Sequence, residues 1–392
     1  MKVKLGDIAV LINGDRGKNY PSQNDIVPNG DIPFVNAGHL DGRIICFDEM
    51  NYISKEKYDR LNSGKFIEGD ILYCLRGSLG KKAAVKEGVF GAIASSLVII
   101  RPNNEKIDTD YLMYALESPS IQEQLKRANN GSSQPNLSAA SVRAYDIDLP
   151  SKENQTLIVE RLSMVRAIID SRQTEIKCLD DLIKARFVDM FGDPASNPMG
   201  WPETTVGKVC HYIKDGPHKS LPDIGQENGG HPFISVRNIV NHVIDFSTAK
   251  YISDEDYAEA RKKCSPEKGD MLYSKGGTTG IAKLVDIDVE FANWVHLAVL
   301  KFDHSVLDGI FFENMLNCDY CYDQSQRLTK GIANRDLVLS AMAQIKIYRP
   351  PMVLQEQFAA FVAQIDKSKS AIQKALDKAQ LLFDSLMQQY FG

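Results

Sequence analysis

The chain lacks the features that would place it in a membrane or outside the cell. No apolar run in its 392 residues approaches the roughly 20 that a transmembrane helix needs. The start, Met1-Lys2-Val3-Lys4, leads directly into Leu5-Gly6-Asp7-Ile8 without a signal-peptide core. The seven cysteines are odd in number and scattered, which argues against a disulfide framework. We therefore expect a cytoplasmic protein with no membrane partner.

The sequence also has few candidate metal ligands and no excess of positive charge. Cys318 and Cys321 form the one close cysteine pair, and neither a second pair nor histidines follow at ligand spacing, so we expect no metal site. A net charge of -5 is unusual for an isolated DNA-binding domain. The charge is uneven, however, because residues 76–86 carry four cations and no acidic residue.

An internal repeat is the main feature that the sequence does have. Gly69-Asp70-Ile71-Leu72-Tyr73 returns as Gly269-Asp270-Met271-Leu272-Tyr273, and Phe191-Gly192 returns as Phe391-Gly392. A period of this length is too large for a solenoid repeat and indicates a duplicated domain. The protein should therefore have two similar heads.

Each copy divides into a mixed head and a helical tail. We expect a first head at residues 1–151, a first long helix at 152–192, a linker with proline and glycine at 193–200, a second head at 201–351 and a second long helix at 352–392. The heads combine short strand and helix candidates without regular βαβ alternation, which predicts an α+β fold.

Both long helices carry an apolar seam with alternating steps of four and three residues, as in coiled coils. A two-fold relation between the repeats predicts antiparallel pairing, and helices of this length would span on the order of 60 Å and act as a ruler. Two amphipathic helices, each packed on its own head, are the alternative. The expected pairing residues are Ile158, Leu162, Val165, Ile169, Ile176, Leu179 and Ile183 on the first helix, and Phe358, Val362, Ile365, Ile372, Leu376, Phe383 and Leu386 on the second.

Three pairs of loops carry the amide, hydroxyl and basic groups that contact DNA phosphates and base edges. One pair follows the Gly-Asp-x-Leu-Tyr strands, one follows the Pro-Phe steps, and one lies shortly before each long helix. The structural alternatives are a glycine-rich hairpin turn, a polar turn and a solvated loop. The candidate contacts are Asn36, His39, Arg43, Arg76, Ser78, Lys81, Lys82, Asn129, Asn130, Ser132, Ser133 and Gln134 in the first head, and Ser235, Arg237, Asn238, Lys275, Thr278, Thr279, Lys330, Asn334 and Arg335 in the second.

Catalytic motifs are absent from these loops. Neither glycine-rich loop satisfies the Gly-x-x-x-x-Gly-Lys-(Ser/Thr) pattern of a nucleotide-binding loop. Asn197-Pro198-Met199-Gly200 lacks the second proline and the aromatic residue of the adenine methyltransferase motif, and the histidines do not cluster. We expect a protein that recognises its target without catalysing a reaction or binding a cofactor.

The order of the motifs resembles the specificity subunit of type I restriction-modification systems. The matching features cover essentially the whole chain, although the first exit, Leu149-Pro150-Ser151-Lys152-Glu153-Asn154-Gln155, is less typical of the family than the second. They are the start at Leu5-Gly6-Asp7-Ile8, the steps Pro33-Phe34 and Pro232-Phe233, the strand Gly69-Asp70-Ile71-Leu72, the exit from Pro350-Pro351 to Phe358, and the end at Phe391-Gly392.

The resemblance implies two target recognition domains that each read one half of a bipartite double-stranded DNA sequence, with the helices setting the spacer. It also implies docking of two methyltransferase subunits, which bind S-adenosylmethionine, and of restriction subunits that use ATP and Mg²⁺. Since the loops of the two heads differ, we expect a non-palindromic target. A stand-alone DNA-modifying enzyme and a two-headed protein scaffold without a DNA role are the alternatives.

Overall fold

The computed structural model describes residues 1–129, 135–240, 242–331 and 335–392. These residues form two compact units, one comprising Met1–Gln173 with Lys374–Gly392 and the other comprising Thr174–Gln373. Each unit contains one head and one half of each long helix.

The described residues of the first head form short strands and five short helices. Its strands are β1 (Lys2–Lys4), β2 (Ala9–Asn13), β3 (Ile32–Val35), β4 (Leu40–Asp41), β5 (Ile44–Ile45), β6 (Tyr52–Ile53), β7 (Lys65–Phe66), β8 (Ile71–Cys74), β9 (Lys82–Ala84), β10 (Gly91–Ile93), β11 (Leu97–Pro102) and β12 (Asp146–Asp148). Its helices are α1 (Leu5–Ile8), α2 (Lys55–Arg60), α3 (Thr109–Ala115), α4 (Pro119–Ala128) and α5 (Ala139–Arg143), with 3-10 turns at Gln23–Asp25 and Ala37–His39. The long helix α6 (Lys152–Phe191) follows.

In its described residues the second head repeats this order without counterparts of β4, β5 and β7. Its strands are β13 (Glu203–Thr205), β14 (Cys210–Asp215), β15 (His231–Ile234), β16 (Lys250–Ile252), β17 (Met271–Ser274), β18 (Ala282–Leu284), β19 (Ala292–Asn293), β20 (Leu297–Phe302) and β21 (Lys346–Tyr348). Its helices are α7 (Val206–Val209), α8 (Asp254–Lys263), α9 (Gly309–Asn317), α10 (Asp319–Leu328) and α11 (Leu339–Met342), with 3-10 turns at Gln226–Asn228 and Val236–Asn238. The chain ends in the long helix α12 (Met352–Phe391).

The central sheet of each head has the same antiparallel topology. Its strand order is β2-β11-β8-β9 in the first head and β14-β20-β17-β18 in the second. A neighbouring sheet pairs β3 with β10 in parallel in the first head and β15 with β19 in the second. The register of β14 shifts between Cys210 and Tyr212, so that the second head carries a bulge at His211. These sheets and helices confirm the predicted α+β heads.

The repeated Gly-Asp motif fixes the start of the central strand. Gly69 has φ +82°, which a glycine adopts without strain. The carboxylate of Asp70 accepts hydrogen bonds from Nε and Nη2 of Arg101, each at 2.7 Å, and thereby ties β8 to β11. In the second head Lys301 takes the place of Arg101, and its Nζ lies 2.6 Å from Asp270.

The long helices run antiparallel within each unit. In the unit of the first head, Arg161 donates to the hydroxyl of Tyr390 at 2.8 Å, and the guanidinium of Arg166 lies 4.7 Å from the ring centre of Phe383. Residue numbers therefore rise along α6 as they fall along α12, which confirms the predicted direction. Each head also packs on both helices, because Leu162 and Phe383 share one core cluster with the first head, and Phe187 and Phe358 share one with the second.

The second unit repeats this arrangement with a different polar contact. Nζ of Lys369 lies 2.6 Å from Oδ1 of Asp180, and the rings of Phe187 and Phe358 are 5.5 Å apart. The charge of Lys369, which lies in the four-three seam of α12, is thus neutralised by a carboxylate of the paired helix.

Burial along the helices follows the predicted seams and extends beyond them. Phe187, Phe191, Met387 and Phe391 are also buried, although the four-three steps do not include them. Near a head, a helix must cover the head as well as the other helix, so that its apolar face widens. The predicted residues that are buried are Leu162, Val165, Ile169, Ile183, Phe358, Val362 and Phe383, and those that are half-buried are Ile158, Ile176, Leu179, Ile365, Ile372, Leu376 and Leu386.

Candidate nucleic-acid interface

In the first head, the glycine-rich loop at residues 75–81 closes the hairpin between β8 and β9. The N–H of Gly80 donates to the carbonyl of Cys74 at 3.1 Å. The N–H of Leu75 donates to the carbonyl of Ser96 at 2.9 Å, and that of Gly77 donates to Pro135 at 3.3 Å. These bonds bring the loop together with the segment before β11 and the segment that begins at residue 135.

The turn after β2 meets the same end of the sheet. Its Asp15 is 7% exposed and accepts hydrogen bonds from the N–H groups of Gly17 and Asn62, both at 2.8 Å. These bonds lower the pKa of the Asp15 carboxyl below its usual value. Nη2 of Arg16 donates to the carbonyl of Ser95 at 3.4 Å. The turn is therefore fixed by an ionised, buried carboxylate.

Basic residues lie in both of the segments that meet at this end of the sheet. Arg16, Lys18 and Arg76 are exposed, and Lys81 is half-exposed. Ser78 is exposed in the same loop. Guanidinium, ammonium and hydroxyl groups are the usual partners of DNA phosphates. The sequence interpretation named the three residues of the glycine-rich loop but missed Arg16 and Lys18, which a charged turn directly after a strand could have indicated.

The second head holds its glycine-rich loop with the same three backbone hydrogen bonds. The backbone N–H of Lys275 donates to the carbonyl of His296 at 2.8 Å. The N–H of Gly277 donates to the carbonyl of Arg335, and that of Gly280 to the carbonyl of Ser274, both at 3.1 Å. The offset between the copies is 200 residues throughout the loop. Lys275 therefore corresponds to Leu75, and the position of Arg76 is taken by a glycine.

The candidate residues of the second loop differ in exposure. Lys275 and Thr279 are buried, at 5% and 2% exposed, whereas Thr278 is exposed. Lys330 and Arg335 are also exposed. Thr278, Lys330 and Arg335 are accordingly the candidates of this head whose side chains reach solvent beside the loop.

An aromatic pair that the sequence interpretation missed lies beside this loop. Trp294 and His296 pack edge to face, with ring centres 4.8 Å apart. The ring of His296 fills the space that a side chain at Gly276 would occupy. The first head has the small residues Ala94 and Ser96 at the equivalent positions. The two heads thus present different surfaces on the same backbone frame.

The loops after the Pro-Phe steps use most of their candidate side chains within the heads. Nδ1 of His39 accepts a hydrogen bond from the N–H of Asn36 at 3.1 Å, and burial lowers the pKa of His39. Asn238 is 1% exposed, accepts from the N–H of Ser235 at 2.9 Å and donates to a backbone carbonyl. Arg237 is exposed. The side chains of His39 and Asn238 therefore stabilise the tight turns in which they lie.

Two basic candidates of the first head surround a carboxylate. Nη1 of Arg43 lies 3.0 Å from Oε1 of Glu117, and its guanidinium lies 4.0 Å from the ring centre of Tyr114. Lys82 is 7% exposed, with Nζ 3.8 Å from the same carboxylate oxygen. Burial lowers the pKa of Lys82. Arg43 and Lys82 therefore form internal ion pairs with Glu117 and do not contribute free cations to the surface.

The third pair of loops is described in part. Oδ1 of Asn129 accepts from the N–H of Asn136 at 3.2 Å, and the backbones of Lys330 and Asp336 exchange two hydrogen bonds of 2.9 Å. The candidates that lie outside the described residues are Asn130, Ser132, Ser133, Gln134 and Asn334.

Within the described parts of the chain, histidine, cysteine and carboxylate side chains form no group of three or more that could hold a metal ion. The same residues include no helix that is long and apolar enough to span a membrane.

Solved structures of type I restriction-modification proteins share this fold. The S subunit from M. genitalium superposes with a TM-score of 0.58 at 17% identity, covering all of this chain and 96% of that one. A chain from a second type I restriction-modification structure superposes with a TM-score of 0.53 at 18% identity, covering all of this chain and 97% of that one.

Similar sequences carry the same family name. The MjaIX specificity subunit of Methanocaldococcus jannaschii is 22% identical over 91% of this chain and 85% of its own length. The MjaVIII specificity subunit of the same organism is 23% identical over 96% of this chain and 90% of its own length. The sequence model of the type I restriction modification DNA specificity domain matches residues 1–179 and again residues 198–381. The chain therefore belongs to the type I restriction modification DNA specificity family and carries its domain twice.

Proposed function

We propose that this chain is the non-catalytic DNA specificity subunit of a type I restriction-modification complex and that its two heads read the two halves of one asymmetric DNA target. The observation that carries the proposal is the pair of glycine-rich loops. The same three backbone hydrogen bonds hold both loops at the end of a central strand, whereas the side chains around them differ. A shared frame with divergent side chains suits two recognition surfaces of different specificity.

The first head offers the more basic surface. Arg16, Lys18, Arg76 and Lys81 can neutralise phosphates, and Ser78 can donate to a phosphate or a base edge. In the second head, Thr278, Arg335 and Lys330 supply the corresponding groups, and Trp294 supplies an aromatic edge beside them. This difference supports a non-palindromic target.

The partners follow from the family. We propose that two methyltransferase subunits bind the helical region and carry S-adenosylmethionine, and that restriction subunits supply ATP- and Mg²⁺-dependent steps in the cytoplasm. This chain itself would bind no cofactor. We further propose recognition domains at 1–151 and 201–351, a linker at 193–200, and helices at 152–192 and 352–392 that set the spacer between the half-sites.

A net charge of -5 indicates that the chain alone binds DNA weakly, because affinity for a duplex depends on neutralised phosphates. Filter binding with and without the cognate methyltransferase tests the proposal. The complex should retain its target in excess nonspecific DNA, and the chain alone should not. Equal and sequence-blind binding in both cases would overturn it.

A further inference from the structure

The two heads differ at one buried position inside the glycine-rich loop. Leu75 is 1% exposed and lies in the apolar core of the first head. The equivalent Lys275 is 5% exposed, although it carries a charge. The backbone hydrogen bonds on both sides of the position are the same in the two heads. The exchange of leucine for lysine therefore changes the side-chain contacts of the loop and leaves its backbone path unchanged.

Three segments of the second head meet at the ammonium group of Lys275. Its Nζ lies 2.8 Å from Oδ1 of Asp336 and 3.5 Å from Oδ2 of Asp215. Asp215 is the last residue of β14, and Asp336 precedes α11. Asp215 also pairs at 2.9 Å with Lys263, which ends α8. Two lysines and two aspartates thus balance in charge where these segments converge.

A buried charge is stable only while its partners stay in place, so that an ion pair of this kind defines geometry more than it adds stability. Exposed candidate contacts lie immediately beside the network. Thr278 belongs to the loop of Lys275, and Arg335 is the neighbour of Asp336. Any shift of Asp336 relative to the loop would change the distance between these two contacts.

We infer that Lys275 is a positioning residue, whose ion pairs with Asp336 and Asp215 fix the recognition loops of the second head and thereby control selectivity for the second half-site without contact to DNA. The inference rests on the proposed function. It also revises the sequence interpretation of Lys275 as a DNA contact, because the exposed fraction of this side chain is too small for a phosphate to approach it.

The test compares Lys275→Met with wild type in the complex with the methyltransferase. The probe is a duplex selected from a randomised pool by the wild-type complex, together with duplexes that carry one base change in either half. We expect Lys275→Met to reduce discrimination at the second half-site by about tenfold, while discrimination at the first half-site stays within about twofold. The slope of log affinity against log salt should not change, because no phosphate contact is lost.

Asp336→Asn keeps the test decisive if Lys275→Met does not fold. This variant removes one ion pair of Lys275 at a side chain that is 45% exposed. It should reduce discrimination at the second half-site as well. The double variant should lose no more than either single one, because both changes break the same contact. Leu75→Met is the matched control in the first head and should leave discrimination at both half-sites unchanged.

Unchanged discrimination in Lys275→Met and Asp336→Asn would overturn the inference. A salt slope reduced by about one in Lys275→Met would also overturn it, because that result indicates a direct phosphate contact. Failure of the proposed function looks different, since the wild-type complex would then select no sequence from the pool.

Discussion

The side chain of Gln155 accepts a hydrogen bond from the backbone N–H of Asp108 at 2.8 Å, so that the first turn of α6 is tied to the start of α3. Its Nε2 donates to the carbonyls of Lys106 and Pro150, at 3.0 and 3.1 Å. Gln355 makes the corresponding three bonds in the second head. Both glutamines are fully buried. The exit from the first head, although less typical in sequence, therefore has the same contacts as the second.

Replacement of Gln155 by leucine should lower the free energy of unfolding by about 2 to 3 kcal/mol, because it leaves buried backbone groups without partners. Urea denaturation of the purified chain measures this change. Asn154→Ala is the control, since that side chain is exposed, and it should stay within about 0.5 kcal/mol of wild type. Equal stability of Gln155→Leu and wild type would show that these hydrogen bonds do not hold the helix to the head.

The ion pair of Asp70 with Arg101 gives a second stability prediction. Asp70→Asn should destabilise the chain by about 2 kcal/mol, since it removes one partner of a buried, bidentate pair while Arg101 keeps partial access to water. Thermal unfolding followed by circular dichroism measures the loss. Asp48→Asn, at an exposed site, serves as the comparison. A loss of the same size in both variants would contradict the role of the pair.

The buried carboxylate of Asp15 predicts a dependence on pH. Its pKa is lower in the folded state than the ordinary value of 3.8, so that its contribution to stability is present above that value and is lost as the pH falls through the folded pKa. Asp15→Asn should therefore lower the melting temperature by roughly 3 °C at pH 7, and the difference from wild type should shrink toward pH 3. A difference that stays constant over this range would contradict the assignment.

The exposed cations of the first head should act on affinity more than on sequence preference. Arg76→Gln should weaken binding of the complex to all duplexes to a similar extent and reduce the salt slope by about 0.9, as expected for one lost phosphate contact. Lys86→Gln is the matched control. Lys86 follows Val85, which pairs with Asp70 at the opposite end of the β8–β9 hairpin. Equal effects of the two variants would place the DNA away from the loop.

Arg16 and Lys18 provide an independent check of the same surface, because they come from a different segment. Arg16→Gln and Lys18→Gln should each reduce the salt slope by about as much as Arg76→Gln does. When either one is combined with Arg76→Gln, the two reductions should add if the residues contact separate phosphates. No change in slope for either residue would remove the turn after β2 from the proposed interface.

The scaffold could be predicted from the sequence because its signals are periodic or repeated. The seam from Ile158 to Ile183 predicted a paired helix, and the repeat of the Gly-Asp motif identified the equivalent strands. What the seam could not show is that Phe187 and Phe191 face the head as well as the other helix. A four-three step describes one contact, whereas a helix between a head and another helix makes two.

The recognition residues were harder to predict, because residue type does not distinguish a contact from a cap. Asn238 has the side chain of an adenine reader, yet its amide closes a turn. Arg76 and Lys275 are both basic candidates in a glycine-rich loop, although the backbone matches Lys275 with Leu75 and not with Arg76. The constant offset of 200 residues in the Gly-Asp repeat already implies this one-residue difference, and the hydrogen bonds of the loop show that it separates an exposed cation from a buried one.

The central claim is that each head reads one half of an asymmetric DNA sequence, and selective binding tests it most directly. The complex of this chain with its methyltransferase is titrated against its selected duplex, against duplexes with either half altered, and against one with both halves altered. The account predicts that each altered half weakens binding by about tenfold or more, and that the two losses combine. Binding that is insensitive to one half, or equal for all four duplexes, would contradict it.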